Sequence, residues 1–496
     1  MDVFSSLFSG FAVALQPVNL LFCFIGVFIG TLIGVLPGVG PSATIAVLIP
    51  MTLGRSPVTA IIMLAGIYYG AQFGGSITSI LVNIPGEASA VATCFDGYPM
   101  ARKGRAGAAI CIAASSALFG GTCGILGLTL LSIPMSTLAL KFGPPEYFAI
   151  MCMGLTILTF MSRGSMVRAL IMAAFGLFLS LVGMDIFTGK ARFTMDIIEL
   201  GGGVPLVSMV IGVFGVTEVL ANYEDPEKRA LPDSGLGKVM PSFGDFKEAL
   251  PAASRGTLMG FIMGVIPGAG HILSPFTAYG VEKRLAKNPE TFGQGAIKGL
   301  AAPTAACETA AASSFIPLFT LGIPPNVTVA ILMGALMIHG VRMGPTFIAE
   351  NPAIFWGTIS SMYVGAIMLF ILNVPLIGIW IKLLKVPAKF LYPCILLFAL
   401  IGSYSINNSI FDVYAMIAFG VFGYFARKFK LDIAPLVLAF VLGSMMERSL
   451  RQSLIGSKGS IAVFFTSPIA LVCFLITAIL FVWPLLRRNK STEVKA

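Results

Sequence analysis

Apolar positions in this chain come in long runs, not at the spacing of a half-buried helix, and short clusters of Gly, Pro and charge separate them. Runs of roughly 18 or more residues are the mark of helical membrane spans. The short alternating strands of a membrane barrel are missing. The pattern predicts an interfacial helix over 1–17 and apolar arms at 18–36 and 41–54. Residues 57–95 read as one long element, interrupted at Gly74-Gly75-Ser76 and again at Asn83-Ile84-Pro85-Gly86. Spans follow at 106–133, 146–161, 165–187 and 204–220, then a polar stretch at 221–254. Two more short arms, 255–266 and 271–282, precede a second long element at 299–340, which breaks at Ile323-Pro324-Pro325. Spans at 352–382, 390–405, 410–426, 433–446 and 461–486 complete the pattern.

The breaks repeat. Gly34-Val-Leu-Pro-Gly38-Val-Gly40 recurs as Gly264-Val-Ile-Pro-Gly268-Ala-Gly270, with Gly30 and Gly260 matched upstream. Each arm of the second copy is about 12 residues, roughly 18 Å of helix against a hydrocarbon core of about 30 Å. Such an arm cannot cross alone, so each copy predicts a re-entrant hairpin with its tip buried in protein or beside water. The fold class expected is an all-α polytopic membrane protein of two inverted-topology repeats, with about 11 spans and two hairpins. Its divisions are 1–17, a first half at 18–220, a cytoplasmic linker at 221–254, a second half at 255–486 and a cytoplasmic tail at 487–496.

A broken helix leaves unpaired N–H groups at one end and unpaired C=O groups at the other, inside a low-dielectric slab. The N–H ends attract anions, and C=O ends, here near Asn83 and Gly322, can hold Na⁺. The residues expected to line a substrate are Gly38, Gly40, Pro41 and Ser42 at the first tip, and Gly75, Ser76, Asn83, Pro85 and Gly86 along the first broken element. Their counterparts are Gly268, Gly270 and His271 at the second tip, then Thr304, Cys307, Thr309, Ser313, Ser314, Pro324 and Asn326. For a single Gly or Pro the ordinary reading is a kink or a close helix contact. Duplication at matched positions favours a ligand site.

Composition narrows the class. Of 496 residues, 57% are hydrophobic and 11% charged, against about 25% charged in soluble domains. The net charge of +10 does not point to nucleic acid, because Lys and Arg stand in short clusters between apolar runs. With a cytoplasmic tail, alternation places 24 of the 32 basic residues on the cytoplasmic side, the bias expected of membrane topology. The first hairpin then opens outward and the second inward. No basic residue precedes Arg55, so a cleaved signal peptide is not expected. The eight Cys include no C-x-x-C pair and read as small buried side chains. With two His and no paired aspartates in a span, neither an enzyme, a metal centre nor a cofactor is expected.

Individual side chains sharpen this. Glu308 lies in an apolar stretch, where a carboxylate costs about 2.5–3.5 kcal/mol on insertion scales and so faces a cavity, pairs or carries protons. It is the candidate for ion coupling, with Na⁺ or H⁺ as the cation. His271 can donate to a carboxylate or cap a helix start, while His339 reads as structural. Asp96, Arg102, Lys103 and Arg105 read as topology and capping residues, and Arg448 and Arg451 as part of an external loop.

Several runs resemble the large membrane subunit of tripartite tricarboxylate transporters, the TctA family. They are Gly-Ile-Tyr-Tyr-Gly at 66–70, Gly-Gly-Ser-Ile-Thr-Ser-Ile-Leu-Val-Asn-Ile-Pro-Gly at 74–86, Asp-Gly-Tyr-Pro-Met-Ala-Arg-Lys-Gly at 96–104 and Pro-Gly-Ala-Gly at 267–270. Glu-Lys-Arg-Leu at 282–285, Ala-Ala-Pro at 301–303, Ile-Pro-Leu at 316–318, Leu-Gly-Ile-Pro at 321–324 and Ile-His-Gly at 338–340 extend the likeness over nearly the whole chain. The resemblance implies ion-gradient-driven uptake of organic carboxylates across a bacterial inner membrane by an elevator-like movement. It also implies a small four-helix membrane partner and a periplasmic solute-binding protein. A homo-oligomer is compatible with it, and a cation exchanger or channel without organic substrate is the alternative. The second half departs from the family pattern at His271, Thr304, Cys307-Glu308, Ser313-Ser314 and Pro325-Asn326.

Overall fold

A computed structural model describes residues 3–35, 40–83, 85–161, 166–185, 187–224, 240–268, 270–383 and 388–490. The first half begins with α1 (Val3–Ala14), α2 (Pro17–Gly34), the short α3 (Pro41–Leu48) with a further turn at Ile49–Thr52, and α4 (Pro57–Val82). After a break come α5 (Val91–Met100), α6 (Ala106–Ala139), α7 (Pro144–Met161), α8 (Met166–Ser180), α9 (Leu206–Val210) and α10 (Thr217–Glu224). The second half runs through α11 (Phe243–Val265), α12 (Gly270–Leu285), α13 (Ile297–Ser313), α14 (Phe315–Leu321) and, past another break, α15 (Val327–Ile338). It ends with α16 (Phe347–Glu350), α17 (Pro352–Asn373), α18 (Ile377–Leu383), α19 (Ala388–Asn407), α20 (Ile410–Lys428), α21 (Ala434–Gly456), α22 (Val463–Thr466) and α23 (Pro468–Lys490). Among the described residues, five helical stretches are long and apolar enough to cross a membrane, with further shorter apolar helices beside them. The protein is an all-α polytopic membrane protein.

Two helix pairs set the frame, and each is held by a glycine stripe. On α2, a Cβ at Gly26, Gly30 or Gly34 would sit 2.2–2.5 Å from the carbonyl oxygens of Met63, Ile67 and Ala71 on α4. On α11, Gly256, Gly260 and Gly264 stand at 2.2–2.5 Å in the same sense from Ala302, Ala306 and Ala310 on α13. Glycine every fourth residue lets the two backbones touch, which is how apolar helices associate where lipid offers no hydrophobic gain. The core fills with rings: Tyr68, Tyr69, Phe315, Phe319, Phe347 and Phe355 form a chain with centroids 5.4–6.4 Å apart.

The breaks end alike. Helix α4 stops at Asn83 (φ 59°, ψ 26°) and α14 at Gly322 (φ 68°, ψ 21°), both left-handed caps. Four residues on, Glu87 (φ −149°, ψ 172°) starts the turn Ala88–Ala90 that leads into α5, and Asn326 (φ −149°, ψ 169°) starts α15.

Some expectations are corrected. Gly74-Gly75-Ser76 does not interrupt α4, which is helical through Val82. Those glycines are there for contact: a Cβ on Gly74 would meet Gly34 and the Thr31 carbonyl, and one on Gly75 would meet Gly86. Helix α11 starts at Phe243, inside the expected linker, so its arm is 23 residues and not 12. A reciprocal cap between Ser242 and Asp245 launches it, and charged faces do not stop a helix so well begun. The expected span at 165–187 stops at Ser180 and turns into a two-residue antiparallel ladder, Gly183↔Arg192 and Met184↔Ala191. Arg448 and Arg451 lie on α21, not in a loop. Arg451 binds Asp185 at 3.0 Å and Glu447 at 2.8 Å, and Arg192 binds Glu447 at 2.7 Å.

Candidate functional site

Helices α3 and α15 lie side by side and run in the same direction. Near their starts the Ser42 and Thr328 hydroxyls are 2.8 Å apart, and near their ends His339 Nε2 is 3.0 Å from the Thr52 hydroxyl. Both N-termini therefore reach the same depth. Pro41 opens α3 at its first position, where a missing N–H costs nothing. Asn326 opens α15, its side-chain oxygen accepting from the Val329 N–H at 2.9 Å.

These ends open into a cavity of about 550 Å³. Gly40, Pro41 and Ser42 line one wall, Asn326, Val327 and Thr328 a second, Gly86 to Ser89 a third, and Gly268 with His271 to Leu273 a fourth. Three helix starts (α3, α12 and α15) thus converge on one space, and each brings the partial positive charge of its unpaired N–H groups. Among the described residues, Arg427 and Lys430 are the Arg and Lys side chains lining it, and Arg427 is paired with Glu218 at 2.7 Å. Within the break and tip segments the anion-attracting groups are backbone, hydroxyl, amide and imidazole.

Behind His271 a polar chain crosses the core. His271 Nε2 lies 3.1 Å from Gln72 Oε1, and Gln72 Nε2 donates to Cys307 Sγ at 3.0 Å. Asn326 Nδ2 reaches the Tyr68 hydroxyl at 3.4 Å, and Tyr68 stacks on His271 with centroids 5.8 Å apart. One ligand atom each of Glu87, His271 and Cys307 lies within 4.8 Å of the others. The Ser89 hydroxyl donates to Glu87.

Glu308, one residue on, points elsewhere. Adjacent residues on a helix are turned by about 100°. It lines a chamber of about 20 Å³ together with Tyr69, Phe73 and residues of α6 and α17, room for one water or small cation. Glu308 is 3% exposed; among the described residues the chamber has no basic side chain, and the buried Tyr69 hydroxyl has no hydrogen-bond partner. No residue lines both this chamber and the larger cavity.

Of the expected site residues, Gly40, Pro41, Ser42, Gly86, Gly268, His271 and Asn326 meet at the larger cavity. Thr304, Thr309, Ser313 and Ser314 do not line it; each hydroxyl bonds a carbonyl three or four residues back on its own helix, and Thr309 also the Gly120 carbonyl. That local bond is what a buried hydroxyl on a helix makes when no ligand competes. Asn83, Pro85, Gly270 and Pro324 stand at the breaks and the second tip without lining the cavity, and Gly75 and Ser76 lie inside the unbroken α4, also away from it. Gly38 falls outside the described residues. Sequence reading missed Glu87, Ser89, Gln72 and Thr328. Glu87 stands next to the Pro85-Gly86 pair, the only signal that pointed to it.

Asp96 also does more than mark topology. Its Oδ1 accepts from the N–H groups of Gly293, Gly295 and Ala296 at 2.7–2.9 Å. It thereby fastens α5 to the loop that starts α13.

Residues 20–438 match the family described as the tripartite tricarboxylate transporter TctA family. An uncharacterized 52.8 kDa protein in the TAR-I ttuC' 3' region of Agrobacterium vitis is 48% identical over 470 residues, covering 95% of this chain and 94% of that protein. An uncharacterized protein in the TAR-II ttuC' 3' region of the same organism is 48% identical over 235 residues, covering 47% of this chain and 97% of its own length. No solved structure matches significantly.

Proposed function

The chain belongs to the tripartite tricarboxylate transporter TctA family, and on that footing we propose that it imports small organic di- or tricarboxylates, driven by an ion gradient. It acts as the large membrane subunit, beside a small four-helix membrane subunit and a periplasmic solute-binding protein, in a bacterial inner membrane with its C-terminus in the cytoplasm. The observation that carries this reading is the meeting of the α3, α12 and α15 N-termini in one cavity. Helix starts buried at membrane depth have little use but to hold an anion, and paired broken helices of this kind serve transporters that way.

In this reading Ser42 and Thr328 hold one carboxylate between two parallel helix dipoles. His271 and the Asn326 amide meet a second. Glu87 works against an anion near the start of α5, so the substrate sits toward α3 and α15. The two halves, with matching caps and glycine stripes, are inverted repeats. Alternating access is elevator-like: the packed α2–α4 and α11–α13 pairs carry the cavity past the rest. Glu308 takes the coupling cation, H⁺ or Na⁺, in its own chamber, and the carbonyl ends at Asn83 and Gly322 offer a second place for Na⁺. The Glu308 chamber is also what favours the other reading, cation exchange without an organic substrate.

The two are separated by uptake of labelled carboxylates into proteoliposomes containing both membrane subunits, supplied with the binding protein. Accumulation that needs both the binding protein and an ion gradient is expected. Ion flux without any carboxylate dependence would sink the carboxylate reading.

A further inference from the structure

We propose that Glu87, His271 and Cys307 form a site for one borderline-soft divalent cation, of the Zn²⁺ or Cd²⁺ kind, at the floor of the larger cavity. Three donors of different chemistry arrive there from three separate elements: the break after α4, the start of α12 and the middle of α13. One ligand atom from each falls within 4.8 Å of the other two. In a tetrahedral zinc site, metal–sulfur and metal–nitrogen bonds of about 2.3 and 2.0–2.1 Å put donors under about 4 Å apart. The three side chains therefore need to close by only about 1 Å. Carboxylate, imidazole and thiolate together suit zinc and cadmium better than Mg²⁺ or Ca²⁺, which take oxygen ligands alone.

The surroundings support the site. Gln72 accepts from the His271 ring and donates to Cys307. This is how an outer group fixes the orientation of a histidine ligand and quiets a thiolate. Glu87 is steadied by Ser89. Glu87 and His271 line the cavity while Cys307 lies behind them. Three protein ligands leave a fourth position, the arrangement of an open zinc site. A carboxylate in the cavity would complete the coordination. Binding converts the Cys307 thiol to thiolate, so one S–H bond breaks, one metal–sulfur bond forms and one proton goes to solvent.

The proposal concerns binding alone and stands whether or not the chain carries carboxylates. Titration of the purified full-length protein with Zn²⁺ by calorimetry, repeated in two buffers of different ionisation enthalpy, should give one site per chain and proton release. Glu87→Gln and His271→Gln should each weaken it at least tenfold, and Gln72→Ala by 10–100-fold, as expected for lost outer-shell partners. X-ray absorption at the zinc edge needs no variant. On the wild-type protein with one equivalent of zinc it should show one sulfur neighbour at about 2.3 Å beside nitrogen and oxygen at about 2.0–2.1 Å. A first shell of nitrogen and oxygen only would overturn the assignment. So would zinc affinity unchanged in Glu87→Gln and His271→Gln, or no binding to the wild type.

Discussion

The first broken element, α4 with its turn into α5, and the second, α13 and α14 leading to α15, share a backbone and differ in chemistry. Counting back from the left-handed caps Asn83 and Gly322, the residues gripped by the glycine stripes fall at the same steps, Ile67 with Ala306 and Ala71 with Ala310. At that register Tyr68 and Tyr69 of the first element answer to Cys307 and Glu308 of the second. One element brings aromatic surface and the other brings a thiol and an acid. Yet Tyr69 and Glu308 line one chamber, and Tyr68 stacks on His271 beside the group containing Cys307. The two elements thus share one scaffold, and the chemistry arises where their unlike side chains face each other. It follows that equivalent backbone substitutions should hurt equally, while equivalent side-chain substitutions should not.

The largest effect is expected at the stripes. In Gly30→Val and Gly260→Val the new Cβ lies 2.5 and 2.3 Å from a backbone oxygen of the partner helix. Backbone cannot step aside as a side chain does, so each should cost about 3 kcal/mol or more. Loss of the monodisperse peak in fluorescence-detected gel filtration checks this. If one variant folded normally and the other did not, the equivalence of the two pairs would be broken.

Asp96→Ala comes next and tests the asymmetric part of the scaffold. It removes three hydrogen bonds from a charged acceptor and leaves the Gly293, Gly295 and Ala296 N–H groups of a half-buried to exposed loop with only water to bond. Hydrogen bonds to charged groups are worth about 1.5–3 kcal/mol each and do not add fully, so a loss of about 2–4 kcal/mol in thermal or denaturant stability is expected. Asn at this position should recover about half.

Glu308→Gln and Tyr69→Phe probe the chamber the two elements share. With Gln, uphill accumulation in proteoliposomes should fall at least tenfold, while exchange of substrate down its gradient persists. Tyr69→Phe removes a hydroxyl that binds nothing in the structure. It should lower accumulation only severalfold through the loss of one cation ligand. If ion dependence survives Glu308→Gln unchanged, coupling lies elsewhere.

How far the sequence foretold this follows the same line. The apolar runs, the second Pro-Gly-x-Gly tip and the break at Asn83 were legible because each leaves a local mark: length, glycine, proline. Gly74-Gly75 left the same mark and misled, since glycine signals close contact as readily as a break. Only the position of Gly34 on the partner helix and of Gly86 folded back from the following break settles which. Thr304, Thr309, Ser313 and Ser314 looked like ligand hydroxyls, but whether a hydroxyl turns back to its own helix depends on what stands opposite. Gln72 carried no local signal, and Glu87 only its place beside Pro85-Gly86, for a related reason. The His271 and Cys307 side chains they approach are 184 to 235 positions away, and no local pattern carries such a pairing.

The smallest effect, and the finest test of likeness, is exchange of the caps themselves. Asn83 and Gly322 hold nearly the same dihedrals, and both residue types accept them. Asn83→Gly therefore removes only a modest conformational preference and should change stability by about 0.5 kcal/mol or less. Gly322→Asn keeps the backbone but adds a Cβ 2.7 Å from the Met343 carbonyl oxygen. That neighbour is backbone, so the chain must shift, and about 1–3 kcal/mol of destabilisation is expected. The difference between the two melting temperatures measures what the second cap gave up: its tight seat against the loop before α16 admits glycine alone. Equal, small shifts would mean that the loop yields, and that the two caps are interchangeable in packing as well as in dihedral angle.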